Sequence, residues 1–286
     1  METAANLYQA ILARHSVRRY ARQALDAQTL AQVEAIISGV KALVRENRFE
    51  VLVRDVAPGE DLAQAMGAYG RIVSPPRYLL PYGVGKVHLL TDLGYRVEQI
   101  AVRLAGLGIG SCYIGSLGRE GEVRARFGLP EDTRIGAFLI FGYAATSLAG
   151  RAFNALAHRA AGAASKLPAE RITYTERFDR PVAPPVPLVP LIEAARHAPS
   201  ALNAQPWRFL WRNEALYLFV QRYNRRYGRG PGAEYALFDG GICMGNVALA
   251  LEALERPGRW QLLADGAPNV PDHPADLRPL AKLLLG

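Results

Sequence analysis

Residues 198–209 read APSALNAQPWRF, and this stretch is the most informative part of the sequence. Two prolines, Pro199 and Pro206, restrict the backbone of a predicted turn that carries serine, asparagine and glutamine side chains. Amide side chains both donate and accept hydrogen bonds, so such a turn can recognise a flat ligand with a mixed polar edge. The turn follows a predicted helix and leads into a predicted strand that begins at Trp207.

A second polar segment lies near the start of the chain, where residues 14–20 read RHSVRRY. Arg14, Ser16 and Arg18 occupy alternate positions. Guanidinium groups bind a phosphate through charge-assisted hydrogen bonds, and a hydroxyl adds one more donor. His15 can also donate through a ring nitrogen. The segment therefore predicts a phosphate site formed chiefly by the two arginines.

Together the two segments resemble the FMN-dependent nitroreductase superfamily. The resemblance implies an α+β, nitroreductase-like fold. In the family's homodimers one subunit holds the flavin phosphate, and the Pro-Ser-x-x-Asn turn of the other subunit partly lines the flavin ring. The usual members carry both motifs a few dozen residues apart, whereas here they lie at opposite ends of the chain. The chain therefore resembles a fused dimer, an intramolecular pseudo-dimer.

An internal repeat supports the fusion. Residues 92–105, DLGYRVEQIAVRLA, align without gaps to residues 239–252, DGGICMGNVALALE, at a separation of 147 positions from 92 to 239. Both begin with an aspartate that we predict to be an N-cap, and both continue as apolar helices. A second pairing sets residues 34–35 and 48–49 against residues 193–194 and 208–209.

The repeat predicts two degenerate copies, residues 1–165 and 166–286, within one integrated unit. The first copy has no Pro-Ser turn at the corresponding place, and the second has no Arg-x-Ser-x-Arg segment before its turn. Of the two sites of a symmetric dimer, one composite site is complete and the other is lost. We therefore expect one FMN, held between the halves, in a chain that functions by itself.

The resemblance assigns further flavin contacts. Pro199, Ser200, Asn203 and Gln205 of the turn would lie at the ring. Lys166 precedes a Leu-Pro pair, as does a basic phosphate ligand in the family.

Residues 107–116, LGIGSCYIGS, resemble the segment whose backbone approaches flavin N5, which assigns Ile114, Gly115 and Ser116 to that role. Arg71 resembles a ring contact from the first half that would balance charge on the reduced flavin. An ordinary surface arginine explains Arg71 equally well.

The activity that the resemblance implies is hydride transfer from NAD(P)H to flavin N5, and then to a small-molecule acceptor such as a nitroaromatic or a quinone, in a ping-pong cycle. No side chain is needed as a nucleophile. One alternative is another flavin reaction of the superfamily: dehalogenation, enone reduction or flavin breakdown. A second is a degenerate flavin-binding or interaction protein without turnover. The sequence does not choose between NADH and NADPH.

Composition agrees with a compact enzyme. Half of the 286 residues are hydrophobic, and the net charge of +8 favours anionic ligands, with nucleic-acid binding unlikely. Cys112 and Cys243 match no metal or redox spacing and are expected to be buried. The five histidines are scattered, so no metal site is expected. The sequence shows no apolar targeting segment and no uninterrupted membrane span, which predicts a cytoplasmic protein.

Two segments have alternative interpretations. The Pro-rich run at residues 181–190 is read as an extended connector between the halves, with a ligand of an SH3-like domain as the alternative. Residues 222–229, RYNRRYGR, interleave cations with aromatics, as nucleic-acid contacts do. They are read as a solvated loop, with a lid or a patch for the NADPH phosphate as alternatives.

The hydrophobic pattern also predicts individual elements. The predicted helices comprise one through Leu7 and Ile11, one at 26–37, one from 92, one towards 127, one at 188–197 and one from 239. The predicted strands are 49–54, 87–91, 134–142, 207–212 and 215–221. A Gly-rich loop is expected at 106–116.

Overall fold

The computed structural model describes residues 4–160, 165–268 and 270–286. Within them the α-helices are α1 (Ala4–Ala13), α2 (Ala27–Ser38), α3 (Ala63–Met66), α4 (Leu89–Gly106), α5 (Glu120–Phe127), α6 (Leu148–Ala160), α7 (Val189–His197) and α8 (Tyr235–Ala253). The strands are β1 (Arg48–Asp55), β2 (Arg77–Val84), β3 (Gly110–Gly115), β4 (Ala137–Gly142), β5 (Thr173–Thr175), β6 (Trp207–Arg212), β7 (Ala215–Gln221), β8 (Gly258–Leu262) and β9 (Leu277–Leu285).

The strands form two sheets. The first has the order β1-β2-β4-β3 and is antiparallel, and the second has the order β5-β6-β7-β9-β8, in which only β5 and β6 are parallel. All strands of the first sheet come from residues 48–142, and all strands of the second from residues 173–285. Helices combined with mainly antiparallel sheets confirm the predicted α+β class.

Helices α4 and α8 lie side by side between the sheets and contact each other through glycines. A Cβ atom on Gly94 would overlap the carbonyl oxygen of Phe238, and a Cβ atom on Gly241 would overlap that of Thr91. Residues 94 and 241, and residues 91 and 238, are equivalent in the sequence repeat. The contact is therefore reciprocal, as at a two-fold dimer interface. This is the arrangement of a fused pseudo-dimer.

The two repeat aspartates are not N-caps, which corrects the prediction. Helix α4 begins three residues before Asp92, and α8 begins four residues before Asp239. Asp92 Oδ1 accepts the backbone N–H groups of Leu43 (2.8 Å) and Val44 (3.1 Å). Asp239 Oδ2 accepts the N–H of Ala201 at 2.8 Å. Each carboxylate thus fixes the loop that precedes β1 or β6.

Most predicted elements are present, including α1, α2, α7, β1, β6 and β7. Asp26 caps α2 by accepting the N–H of Thr29 at 2.7 Å. The strand predicted at 87–91 is wrong, because its short apolar run belongs to the start of α4, and periodicity cannot separate strand from helix over five residues. The neighbouring strand is β2, which contains Pro81. The predicted loop at 106–116 contains β3.

The Pro-rich run at 181–190 is only partly the extended connector that was predicted. It includes a 3₁₀ turn, Val186–Leu188, and Pro190 lies in the first turn of α7, where its missing N–H costs no hydrogen bond. Cys112 and Cys243 are free and buried, as expected. By length and composition the helical stretch Gly230–Ala253 could cross a membrane, but 78% of its most apolar window is buried inside the protein.

Replacing Gly94 by alanine should lower the free energy of unfolding by about 1–3 kcal/mol, because the added methyl group must displace a backbone carbonyl. Gly121→Ala is the matched control, since nothing lies within 4 Å of a Cβ atom there and alanine favours α5. Urea unfolding of both variants measures the difference. Equal stability of the two variants would contradict the close approach of α4 and α8.

Candidate functional site

A cavity of about 790 Å³ opens beside the end of α1. Its ionisable lining residues are basic or histidine, with no carboxylate among the lining residues of the described chain. A cleft lined by one sign of charge concentrates ligands of the opposite sign. The charged and histidine residues of the lining are Arg14, His15, Arg151, Lys166 and His197.

The arginines of the RHSVRRY segment have buried donors without acceptors. The Arg14 side chain is 5% exposed, and its Nε lies 3.8 Å from Glu98 Oε1, which is too long for a hydrogen bond. Nε and Nη1 of Arg14 and Nη1 of Arg18 are buried and have no hydrogen-bond partner among the described residues. Such donors are costly to bury. They therefore suit a ligand that brings several acceptor oxygens, as a phosphate does.

The other two residues of this segment that were predicted as ligands lie close by. His15 is exposed on the cavity lining, with Nδ1 3.1 Å from the Ala13 carbonyl oxygen. Ser16 forms a bridge with Ser111 at the start of β3, beside Cys112. The segment is held from the other side by α6, where Asn154 Oδ1 accepts the backbone N–H groups of Arg18 (3.0 Å) and Arg19 (2.9 Å).

Glu98, on α4, is a buried carboxyl that sequence reasoning missed. Tyr113 donates its hydroxyl to Glu98 Oε2 at 2.6 Å, while Oε1 has no hydrogen-bond partner among the described residues. Burial raises the pKa of Glu98 to about 7, against the opposing effect of Arg14. Its repeat equivalent on α8 is Gly245, which packs against its Cβ atom. The signal available in the sequence was an acidic residue in the middle of the repeat helix at a position where the other copy has glycine.

Lys166 joins the arginine segment to the turn at 198–209. Its Nζ donates to the carbonyl oxygen of Ala198 at 2.7 Å. Burial, and then the nearby Arg14, lower the pKa of Lys166 to about 8, while Glu98 opposes the shift. Arg14, Glu98 and Lys166 thus form one electrostatically coupled group.

The amides of the turn face the Lys166 segment. Gln205 Oε1 accepts the N–H of Leu167 (2.8 Å), and its Nε2 donates to the carbonyl oxygen of Ser165 (3.1 Å). Asn203 Nδ2 donates to the same oxygen at 3.3 Å. Ser200 Oγ accepts the N–H of Gln205 at 3.0 Å. Asn203 and Gln205 have positive φ angles of 54° and 47°, a strained conformation that these contacts hold in place. Pro199 lies half-buried at the start of the turn.

The loop at residues 222–229 supports the turn from behind. Arg226 Nη1 donates to the carbonyl oxygens of Leu202 (2.6 Å) and Asn203 (3.0 Å). Tyr227 donates its hydroxyl to Asp239 at 2.6 Å, and Asp239 in turn holds the N–H of residue 201. Burial raises the pKa of Asp239 to about 7. These contacts support the turn, a role that none of the sequence-based interpretations of this loop included.

The three residues predicted at flavin N5 lie at the end of β3. Ile114 is buried, and a Cβ atom on Gly115 would overlap the hydroxyl of Tyr235 from α8. The Ser116 hydroxyl donates to the carbonyl oxygen of Ile135 (2.6 Å), and its backbone N–H donates to the carbonyl oxygen of residue 136 (3.1 Å). This part of the first half is therefore in direct contact with the second half.

Arg71 is exposed at the end of the 3₁₀ helix Gly67–Arg71, outside the cavity lining. The structure therefore brings together Arg14, His15 and Lys166 at the cavity, with the turn next to Lys166. The predicted ligands Ser16, Arg18 and Arg71 are not among the residues that line it. In the described parts of the chain, no cluster of three or more histidine, cysteine or acidic side chains could hold a metal ion.

Comparisons with known proteins agree with this arrangement. The family model described as "Putative TM nitroreductase" matches residues 6–227. The crystal structure of a protein from Thermotoga maritima, described as a "putative nitroreductase", is similar over 100% of this chain and 96% of that chain, with 19% identity and a TM-score of 0.58. That likeness shows a shared fold. No curated protein sequence matches the chain significantly.

Shorter nitroreductases match about half of the chain. An FMN-dependent nitroreductase from Clostridium difficile covers 47% of this chain and 85% of its own, with 16% identity and a TM-score of 0.39. A protein from Bacteroides thetaiotaomicron, described as an NADH dehydrogenase or NAD(P)H nitroreductase, covers 49% and 88%, with 20% identity and a TM-score of 0.43. Because the family model spans most of its length, this chain belongs to the nitroreductase family that the model describes.

Proposed function

We propose that this chain is an FMN-dependent oxidoreductase that takes hydride from NAD(P)H and passes it to a nitroaromatic, quinone or similar acceptor in a ping-pong cycle. One observation carries the proposal. Buried guanidinium donors of Arg14 lack acceptors at a cavity whose charged lining residues are basic, and a buried donor of Arg18, four residues further along the chain and outside that lining, also lacks one. Because the chain belongs to a nitroreductase family, a flavin is the ligand that we infer for such a site.

The residues present fit the phosphate of FMN. Arg14 and Arg18 would hold it through their unpaired N–H groups, with Ser16 and His15 as further donors from the same segment. Lys166 would add a charge from the second half, since it lies close enough to Arg14 for each to act on the other electrostatically. When bound, FMN supplies the redox chemistry by accepting and returning a hydride at N5.

The protein's part is to orient the flavin and keep water away. The contacts of Asn203 and Gln205 with residues 165–167 fix Pro199 and Ser200 beside Lys166, where they would lie at the ring. Ile114, Gly115 and Ser116 remain our proposal for the N5 side. An approach of Arg71 to the ring would need movement of an exposed side chain.

The same contacts favour a second candidate function, a flavin-binding or interaction protein without turnover. The amides of Asn203 and Gln205 are already engaged, and Tyr235 lies against Gly115 where the family brings the backbone to flavin N5. Dehalogenation, enone reduction and flavin breakdown would use the same cofactor site. The division at residue 165 and a cytoplasmic location also remain proposals.

Anaerobic addition of NADPH or NADH to the FMN-loaded protein separates the two candidates. We expect the flavin absorbance near 450 nm to decrease, because the bound flavin of an oxidoreductase accepts hydride from the nucleotide. Subsequent addition of a quinone should restore this absorbance. Bound FMN that stays oxidised with both nucleotides would favour the protein without turnover.

Arg18→Ala tests the phosphate site. Loss of a charge-assisted hydrogen bond of about 1.5–3 kcal/mol should weaken FMN binding roughly ten- to a hundredfold, with the fold retained. Arg22→Ala removes the same charge from an exposed side chain of the following segment and should leave FMN affinity within about twofold, as a surface change does. Fluorescence titration of FMN measures both variants. Equal affinities would remove Arg18 from the site.

A further inference from the structure

The buried carboxyl of Glu98 has a position that the flavin chemistry alone does not explain. It is fully buried, its Oε1 lies 3.8 Å from Arg14 Nε, and that oxygen accepts no hydrogen bond from the described residues. Its other oxygen accepts the Tyr113 hydroxyl. Gly245 of α8 packs against its side chain, which closes that face to solvent.

The charges around Glu98 balance before any ligand binds when both nearby carboxyl groups are ionised. Arg14 and Lys166 contribute two cations, and Glu98 of α4 and Asp239 of α8 contribute two carboxyl groups. The titratable groups that act on Glu98 or on its partners come from every element packed there: Arg14 after α1, Tyr113 on β3, Lys166 before the turn, Arg196 on α7, and Asp239 and Cys243 on α8.

A phosphate group changes this balance. It carries a charge of about −1.5 to −2 near pH 7. Its approach to Arg14 brings that charge near a carboxylate that is buried from solvent. Like charges that share a buried site cannot both remain ionised without a large cost.

We propose that Glu98 is a proton-accepting counter-charge of the phosphate site: the fraction that is ionised against Arg14 in the free protein takes up a proton when a phosphate dianion binds to Arg14. The inference rests on the proposed phosphate site and adds its linkage to pH. Protonation frees the Arg14 guanidinium from its only nearby carboxylate in the described chain, so that it can serve the phosphate.

The geometry makes this exchange feasible near neutral pH. Burial already raises the pKa of Glu98 to about 7, so protonation costs little there. Because the pKa of Glu98 lies above the usual range, its ionised form is the less favourable one in the folded protein. Ligand affinity should therefore be highest below pH 7 and fall as the pH rises above it.

Isothermal titration calorimetry of FMN in two buffers of different ionisation enthalpy counts the protons directly. At pH 7.0 the wild-type protein should take up about half a proton for each FMN bound, since about half of a group with pKa near 7 is already protonated. Glu98→Gln, which keeps the shape but cannot titrate, should take up almost none. Glu34→Gln, an exposed glutamate on α2, is the matched control and should behave as the wild type.

The affinity should show the same linkage. Between pH 7 and pH 8 the wild-type affinity should fall about tenfold, of which about fivefold belongs to Glu98 and about twofold to deprotonation of Lys166. Glu98→Gln should show only the smaller fall. A purely structural role of Glu98 would change affinity equally at both pH values.

The outcomes are separable. Wild-type FMN binding without proton uptake at pH 7.0, or unchanged uptake in Glu98→Gln, overturns the inference and leaves the proposed function intact. Binding of inorganic phosphate with proton uptake, but not of FMN, supports the inference and overturns the proposed function. Failure of both ligands to bind overturns both. If Glu98→Gln does not fold, Tyr113→Phe should move the uptake to higher pH, because it removes the hydrogen bond to the carboxylate.

Discussion

The close approach of α4 and α8 is the constraint on which the rest of the structure depends. Gly94 and Gly241 let the backbone of each helix contact a carbonyl oxygen of the other, and no larger residue fits either place. The approach places Glu98 of α4 beside the arginine segment and Asp239 of α8 beside the turn at residue 201. The two halves of the site therefore meet because the helices meet.

The site differs from the rest of the chain in the number of charged groups that it buries and in its backbone strain. Elsewhere the buried positions are mainly apolar, but here a guanidinium and two carboxyl groups are buried beside a half-buried ammonium group, with several donors and acceptors unpaired. Residues 203 and 205 add backbone strain. Such costs persist where function maintains them, and a bound anion would relieve part of them.

Much of this fold was predictable, for reasons that differ between elements. Strands β6 and β7 have strong β-forming residues on both sides of a short turn, so even their ends were predicted correctly. Strand β2 was not predicted because Pro81 interrupts it, and Pro279 interrupts β9 in the same way; β8 and α6 were also not predicted. The arginines were predicted from phosphate chemistry. Glu98, Tyr113 and Arg226 act through partners 15 to 84 residues away, which no local pattern reveals.

The orientation of side chains was also beyond the sequence. The motif predicted amides that face a flavin ring, whereas those of Asn203 and Gln205 hold the segment that carries Lys166.

The central claim is that one chain forms one composite site. A flavin titration combined with light scattering on the same sample tests it most directly. We predict at most one FMN per chain, bound by a single chain. Two FMN per chain, or a site that forms only when two chains associate, would contradict it.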